Sequence, residues 1–320
     1  TRLRTVTEVQ TCALPISVDR RRFLSTAALA ATGSLAGLGG CSRSSGNTVK
    51  IVSSMPRTGS AQGQTDTIVN GIKMAIDDYG GKVNNFTIKY QDLDDALAAS
   101  GGWDAGKEKD NAREAINDPD VMVFIGPYNS GASKQSQPIC NEAGLLQISP
   151  ACTSVGLTKK QEGDTSGQPD IYRKSGKITY CRVCPNDFVQ GPLGAVFAKE
   201  SLNAKQVFVL DDKELYGLGL ASLFIKKCEE IGIRVLGHES IIPSQTNFKT
   251  LITSIAEKKP DMVYFGGTSQ SGGPQIALDM KGLLNCPLMV PDGCYEKAFI
   301  DGAGPELFKT VKCYATMGGT

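Results

Sequence analysis

The sequence predicts an α/β protein built from two lobes, each with its own parallel, Rossmann-like sheet. From Val49 onward, short apolar runs alternate with longer amphipathic runs, as expected when helices connect parallel strands. The unbroken apolar run at residues 121–126 is typical of a strand buried on both faces. A polar stretch rich in glycine, proline and charge, residues 159–177, interrupts the alternation, so we expect it to connect the lobes.

The first lobe is predicted to contain strands at residues 49–54, 86–92, 121–126 and 145–150. Between them we expect helices at 64–80, 103–118 and 131–143, the second of which ends before Pro119. The first helix is amphipathic, since five residues share one face at helical spacing: Ile68, Ile72, Ala75, Ile76 and Tyr79.

The second lobe is predicted to continue the alternation from residue 178. Strands are expected at 178–183, 206–212, 233–240, 261–267, 286–293 and 310–319, with helices at 189–202, 216–232, 248–259 and 273–283. Gly232 is well suited to end its helix. The domain organisation is therefore a leader and tether at 1–46, a first lobe at 47–177 and a second lobe at 178–320.

Composition excludes several classes of function. The net charge is +1 without a long run of either sign, so the chain lacks the basic excess that nucleic-acid binding needs. His238 is the only histidine, which argues against catalysis by histidine pairs and against multi-histidine metal sites. We expect no nucleic-acid partner, no metal and no cofactor.

The leader carries features of an export signal. Its apolar segment, residues 27–38, is shorter than the roughly 20 residues that cross a bilayer, and an arginine pair precedes it. The pattern Arg20-Arg21-x-Phe23-Leu24 looks like a twin-arginine motif, and Leu38-Gly39-Gly40-Cys41 resembles a lipobox. We expect an exported lipoprotein anchored through Cys41 to the outer face of the cytoplasmic membrane, with 42–48 as a tether. The alternative is a surface helix, although the polar face of one is missing; residues 1–17 resemble translated adapter sequence and are excluded from the prediction.

Small polar residues follow the predicted strands. In open parallel sheets, ligands bind outside the carboxyl ends of the strands. The residues there are small hydroxyls, glycines, acids and one tyrosine, and the glycine-rich stretch 266–273 lacks the lysine of a phosphate-binding loop. This composition predicts a small polar ligand held between the lobes.

Four stretches, residues 123–158, 169–195, 210–221 and 261–269, carry a family resemblance. In order and spacing they resemble the substrate-binding lipoproteins of ABC importers for branched-chain amino acids, which have the type I periplasmic-binding fold. The resemblance covers nearly everything from Val49 onward. It implies a monomer that captures a small amino acid between its lobes and delivers it to an ABC permease complex without catalysing a reaction.

The resemblance also implies which residues contact the ligand. These lie after successive strands and are Ser130, Ala151, Thr153, Asp187, Tyr216, Thr268 and Asp292. Thr268 stands where the family often has an aromatic residue, and Asp187 matches a family acid near the cleft.

The chemistry of an amino acid fits these residues. Its carboxylate needs donors, which the Ser130 hydroxyl and backbone N–H groups at the helix start and near Thr153 could supply. Its ammonium group needs acceptors, namely Asp292, the Thr153 hydroxyl and the Ala151 carbonyl. Such a ligand would bridge and close the lobes. Without the resemblance, Ser130 and Thr153 are equally well explained as helix caps, Asp292 as a turn residue and Tyr216 as a core residue.

Three alternatives remain open at this point. The same fold could hold a short amide, urea or another small acid. An enzyme using Asp187 or Asp292 as its acid or base belongs to a different class, but it needs a nucleophile–base pair or a metal that the sequence does not show. A ligand-sensing receptor domain is the third, and the lipobox argues against it.

The cysteines after the lipobox are Cys140, Cys152, Cys181, Cys184, Cys228, Cys286, Cys294 and Cys313. Most lie in apolar runs and are expected to pack as small hydrophobic residues. Cys181 and Cys184 have the spacing of half a zinc site, but no second pair follows nearby. Cys286 with Cys294 is the pair we would test first for a disulfide.

The second lobe is expected to be incomplete. The chain stops at Thr320, shortly after a predicted strand. The resemblance implies about a hundred further residues, which would complete this lobe and return to the first. We therefore expect the 320-residue chain by itself to bind ligand weakly or not at all, even if the full-length protein binds well, because an exposed sheet edge and unpaired helix faces lower stability.

Overall fold

The computed structural model describes residues 46–161, 163–243 and 245–317. The predicted twin-arginine motif, lipobox and Cys41 lie outside the described residues. Two separate sheets divide the described chain, which confirms the predicted α/β architecture with two parallel-sheet lobes. Within these ranges, no helix has the length and apolar character needed to span a membrane.

The first sheet has the strand order β2-β3-β1-β4-β5-β6. Its strands are β1 (Thr48–Met55), β2 (Lys82–Val83), β3 (Phe86–Asp94), β4 (Val121–Ile125), β5 (Leu146–Ser149) and β6 (Tyr180–Arg182). All neighbours are parallel except the short β2, which pairs antiparallel with β3. Three helices connect the parallel strands: α1 (Gln62–Asp78), α2 (Ala105–Asn117) and α3 (Ser130–Glu142).

The second sheet has the order β11-β10-β9-β7-β8 and is parallel throughout. Its strands are β7 (Gln206–Asp211), β8 (Arg234–Ser240), β9 (Met262–Gly266), β10 (Leu288–Val290) and β11 (Cys313–Ala315). Its helices are α4 (Asp187–Glu200), α5 (Leu215–Ile231), α6 (Lys249–Glu257), α7 (Gly273–Met280) and α8 (Lys297–Ala303). The sequence did not predict α8, because a helix of 7 residues is too short to show a clear period.

The core of the second lobe lies on both faces of its sheet. On one face, Phe248 and Ile276 pack against strand residues such as Phe265. On the other, Phe224 of α5 stacks on Tyr264 of β9, with ring centroids 4.0 Å apart and planes 9° apart. Burial on both faces explains why these strands read as continuous apolar runs.

The first lobe is buried less completely than the sequence predicted. In β4, Val121 and Phe124 are fully buried on opposite faces and the other residues are partly buried, so both faces are covered, but less completely than expected. In α1 the buried residues are Thr65 and Val69, whereas Tyr79 is 73% exposed. The helix therefore packs through its first half, and the apolar spacing of its second half does not mark a buried face.

The strand β6 belongs to the first sheet, although we expected residues 178–183 in the second lobe. It pairs with β5 through Gln147 and Tyr180, and the Tyr180 hydroxyl lies 2.9 Å from Ser133 Oγ. The Asn141 side chain donates to the Lys177 carbonyl at 2.9 Å. The end of the polar stretch thus packs on the first lobe, and β6 covers an edge of β5 that would otherwise be unpaired. The chain crosses to the second lobe between β6 and α4, not at residue 177.

Candidate functional site

A cavity of about 580 Å³ opens between the two lobes. Six of the seven predicted ligand residues line it: Ser130, Ala151, Thr153, Tyr216, Thr268 and Asp292. The seventh, Asp187, lies outside this lining. No lysine, arginine or histidine is among the lining residues. The structure therefore brings the predicted residues to one location, and their contact with a ligand stays a prediction.

The first lobe contributes the start of α3. Ser130 is the first residue of this helix, is 2% exposed, and accepts a hydrogen bond at Oγ from Ser154 N at 3.3 Å. The preceding residue, Asn129, makes no side-chain cap. Ser130 is therefore not a helix cap, and the positive end of the α3 dipole lies at the cavity, where it favours an anion.

Two glycines shape the loops around the cavity. Gly126, which follows β4, has a φ of +131°, and a Cβ there would lie 2.3 Å from the Ser54 carbonyl oxygen. A Cβ on Gly217 would lie 2.2 Å from Asp212 Oδ1 and 2.3 Å from the Gly266 carbonyl oxygen. Both positions exclude side chains, which lets the turns after β4 and β7 approach their neighbouring strands closely.

The second lobe contributes Asp292, which begins a 3₁₀ turn after β10. Its Oδ1 accepts hydrogen bonds from Gln190 Nε2 at 2.8 Å, from Gly293 N at 3.0 Å and from the Tyr216 hydroxyl. Gln190 Nε2 also donates to Thr316 Oγ1 at 3.0 Å. These bonds fix one carboxylate oxygen of Asp292, so Asp292 and Tyr216 form one unit and are not independent turn and core residues.

Thr153 and Asp187 meet at the crossing between the lobes. The Asp187 N–H donates to the Thr153 carbonyl at 3.1 Å, and the Thr153 hydroxyl is buried without a hydrogen-bond partner among the described residues. Asp187 begins α4 and is 1% exposed. Burial raises the pKa of its carboxyl to about 7, partly opposed by the nearby Thr153 hydroxyl. Thr153 therefore offers an unused hydroxyl to the cavity.

The position expected to hold an aromatic residue is occupied by a polar turn. Thr268 N donates to Ser271 Oγ at 2.9 Å, and the two hydroxyls lie 3.1 Å apart. The apolar part of the lining comes from other elements and includes Ile68, Val189, Leu193 and Met317. An aliphatic side chain of a ligand would find its apolar contacts there.

Sequence reasoning missed the residues that join the lobes across the cavity. The Tyr128 hydroxyl donates to Gln64 Oε1 at 2.5 Å, and Gln64 Nε2 donates to the Tyr295 carbonyl of the second lobe at 3.1 Å. Asn129 Nδ2 donates to Gln270 Oε1 at 3.4 Å. Tyr128 and Asn129 stand in a strand-end loop, which is the one signal that could have identified them.

The two cysteines considered for a disulfide and the cysteine that lines the cavity are all free thiols. Cys286 and Cys294 are both free, so the structure has no disulfide between them. Cys184 lines the cavity, and burial raises the pKa of its thiol to about 12. Its thiol is therefore neutral at ordinary pH and adds no charge to the cavity.

Comparison with known proteins identifies the family. The family model described as periplasmic binding protein matches residues 48–277. The Leu/Ile/Val-binding protein BraC3 of Rhizobium johnstonii is 27% identical over 260 residues, covering 79% of this chain and 65% of that protein. The leucine-, isoleucine-, valine-, threonine- and alanine-binding protein of Pseudomonas aeruginosa is 28% identical over 249 residues, covering 77% and 61%.

A solved structure shows the same architecture. The leucine-binding protein LivK of Thermotoga maritima superposes with a TM-score of 0.68 at 25% identity, covering 80% of this chain and 67% of LivK. The chain thus spans about two thirds of the length of these relatives. Because the family match covers residues 48–277, which is more than half of the chain, the chain belongs to the periplasmic binding protein family.

Proposed function

We propose that the chain is an extracytoplasmic binding protein that captures a small amino acid, of the branched-chain type, and delivers it to an ABC importer. It acts as a binding component and not as an enzyme. The relatives named for binding leucine, isoleucine and valine support this ligand class. The apolar lining residues Ile68, Val189 and Leu193 suit an aliphatic side chain.

One observation carries the proposal: a carboxylate and a helix start line the same cavity from opposite lobes. Asp292, held by three donors in the second lobe, would accept hydrogen bonds from the ligand ammonium group together with Thr153 and Ala151. The start of α3 at Ser130 would receive the ligand carboxylate. A zwitterion would therefore gain more in the closed form than in the open form, which is the condition for ligand-driven closure.

Isothermal titration of the full-length protein with leucine, isoleucine and valine tests the proposal directly. Two analogues serve as matched controls, 4-methylpentanoate without the ammonium group and 3-methylbutylamine without the carboxylate. Each analogue should bind at least about 100-fold more weakly than leucine, since each loses a charge-assisted set of hydrogen bonds. Binding of the acid as tight as that of leucine would instead favour a small-acid ligand and contradict the role of Asp292.

We also propose that Cys41 is the lipid attachment site. Its support is the sequence of the leader alone, with Leu38-Gly39-Gly40 before the cysteine. Mass spectrometry of the protein from its membrane fraction should show a diacylglyceryl group on Cys41. A Cys41→Ser variant should move to the soluble fraction; if it stays in the membrane, lipid anchoring at this residue is refuted.

A further inference from the structure

Asp187 is a buried acid that has no role in the ligand contacts proposed above. Only 1% of its surface is exposed, and neither carboxyl oxygen has a hydrogen-bond partner among the described residues. Its backbone N–H donates to the Thr153 carbonyl, and the unused Thr153 hydroxyl is close enough to act on the Asp187 carboxyl. Burial of a carboxylate without a donor is unfavourable, which shifts Asp187 towards the neutral acid until a cation arrives.

The charges around Asp187 do not supply that cation. Asp292 is the acid close enough to repel it, and Arg182 is the nearest cation acting on it. The Arg182 guanidinium is already bound to the Cys152 carbonyl at 2.7 Å and to Thr158 Oγ1 at 2.6 Å. The other titratable neighbours are the phenols of Tyr216 on α5 and Tyr264 on β9, which are neutral because burial raises the pKa of each well above its usual value.

Two carboxyl groups that share a poorly solvated corner cannot both ionise at low cost. Asp292 accepts three hydrogen bonds, whereas Asp187 accepts none within the described residues. A proton held in this corner of the empty cleft therefore resides on Asp187.

Resting on the proposed function, we propose that Asp187 is a positioning residue that holds a proton in the empty cleft and loses it to solvent when the ligand ammonium group binds beside Thr153 and Asp292. The O–H bond of the Asp187 carboxyl breaks, the proton passes to buffer, and the new carboxylate adds a second negative charge to the ammonium site. Thr153 can then donate its hydroxyl hydrogen to Asp187 and present a lone pair to the ammonium group.

The size and direction of the effect follow from the burial of Asp187. Because burial raises the pKa of Asp187 to about 7, about half a proton is present at pH 7 and available for release. Only the ionised form favours the ligand, so affinity is weakest at low pH and rises with pH. Between about pH 6 and about pH 7.5, the affinity should become about eightfold tighter and then level off.

Calorimetric titration with leucine in two buffers tests the proposal. At about pH 7 the binding enthalpy in Tris should differ from that in phosphate by the ionisation heat of about half a proton. Equal enthalpies in both buffers would overturn the proton release while leaving amino-acid binding intact. In the full-length protein, an absence of binding heat in either buffer would instead refute the proposed function, and this inference with it.

Variants assign the proton to a residue. In Asp187→Asn the enthalpy should no longer depend on the buffer, and affinity should be flat across the same pH range. Asp95→Asn is the matched control, because Asp95 is also fully buried with two unpartnered oxygens, but neither Asp292 nor Thr153 is among the groups that act on its carboxyl. It should keep the proton release of the parent.

Glu296 is a second candidate, because it follows the cavity residue Tyr295 and burial raises the pKa of its carboxyl to about 7. If Glu296→Gln abolishes the release while Asp187→Asn keeps it, the proton belongs to Glu296 and the proposal is overturned.

A ligand-free measurement keeps the test independent of affinity. The infrared difference spectrum between the parent and Asp187→Asn at about pH 6 should contain the carbonyl stretch of one protonated carboxyl group. Leucine should remove this band from the parent spectrum. If the difference shows a carboxylate band instead, Asp187 is ionised in the empty cleft and the proposal is wrong.

Discussion

Replacement of Asp292 by asparagine tests the proposed ammonium site most directly. The side chain keeps its size, and the amide oxygen of the substituted side chain could still accept from Gln190, Tyr216 and Gly293. What changes is the second oxygen, which becomes an NH₂ group that donates where the ligand ammonium group also donates. The variant therefore removes a charge and introduces a clash of donors without opening a cavity.

The expected magnitude follows from the chemistry of that contact. A hydrogen bond to a charged group contributes about 1.5–3 kcal/mol, and removing one partner of a buried charge pair costs about 2–5 kcal/mol. A loss of about 3 kcal/mol corresponds to an affinity weaker by about 100-fold. The free energy of unfolding should change by less than about 1 kcal/mol, because the three donors keep an acceptor.

Titration calorimetry gives the affinity, and urea unfolding of the same preparations gives the stability. Asp301→Asn is the matched control, because Asp301 is an exposed acid of the same lobe that pairs with Lys297 on α8. It should leave the affinity unchanged. An affinity loss in Asp292→Asn below about fivefold, with stability intact, would refute the assignment of Asp292 to the ammonium site.

Three further outcomes are expected. Tyr216→Phe removes a donor to Asp292 and should weaken leucine binding about tenfold by calorimetry, and an unchanged affinity would contradict this role. Phe224→Ala should lower the free energy of unfolding by about 3–5 kcal/mol in urea, whereas the half-exposed Phe188→Ala should lower it by less than about 1 kcal/mol. Burial raises the pKa of the Asp95 carboxyl from 3.8 to about 8. Between these two pH values the carboxyl ionises in the unfolded chain but stays protonated in the folded chain, so the free energy of unfolding of the parent falls as pH rises. Unfolding curves should therefore show Asp95→Asn gaining stability relative to the parent between about pH 4 and about pH 8, and parallel pH profiles would contradict the burial argument.

The order of strands and helices could be predicted from the sequence because burial leaves a local pattern. In the second lobe, strands packed on both faces read as apolar runs, and Gly232 ends its helix in the left-handed conformation at φ +78°. The family resemblance identified the strand-end residues that line the cavity, since parallel strands bring their carboxyl ends to one edge. These signals act over a few residues, so one sequence is enough to read them.

What the sequence could not determine depends on groups far apart in the chain. β6 follows a long polar stretch and pairs with the edge of β5. The boundary between the lobes therefore lies after β6 and not at the predicted residue 177. Gln190 reaches Asp292 across 102 positions, and no local pattern records that contact.

The electrostatic state of the cleft also depends on tertiary structure. Asp187 is one acid among many in the sequence, and it gains a raised pKa only because folding buries it near Asp292 and Thr153, away from any free cation among the described residues. The sequence by itself determined the elements and their approximate order. Only the tertiary structure decided which polar atoms lose water without gaining a partner, because desolvation depends on every group that packs around an atom.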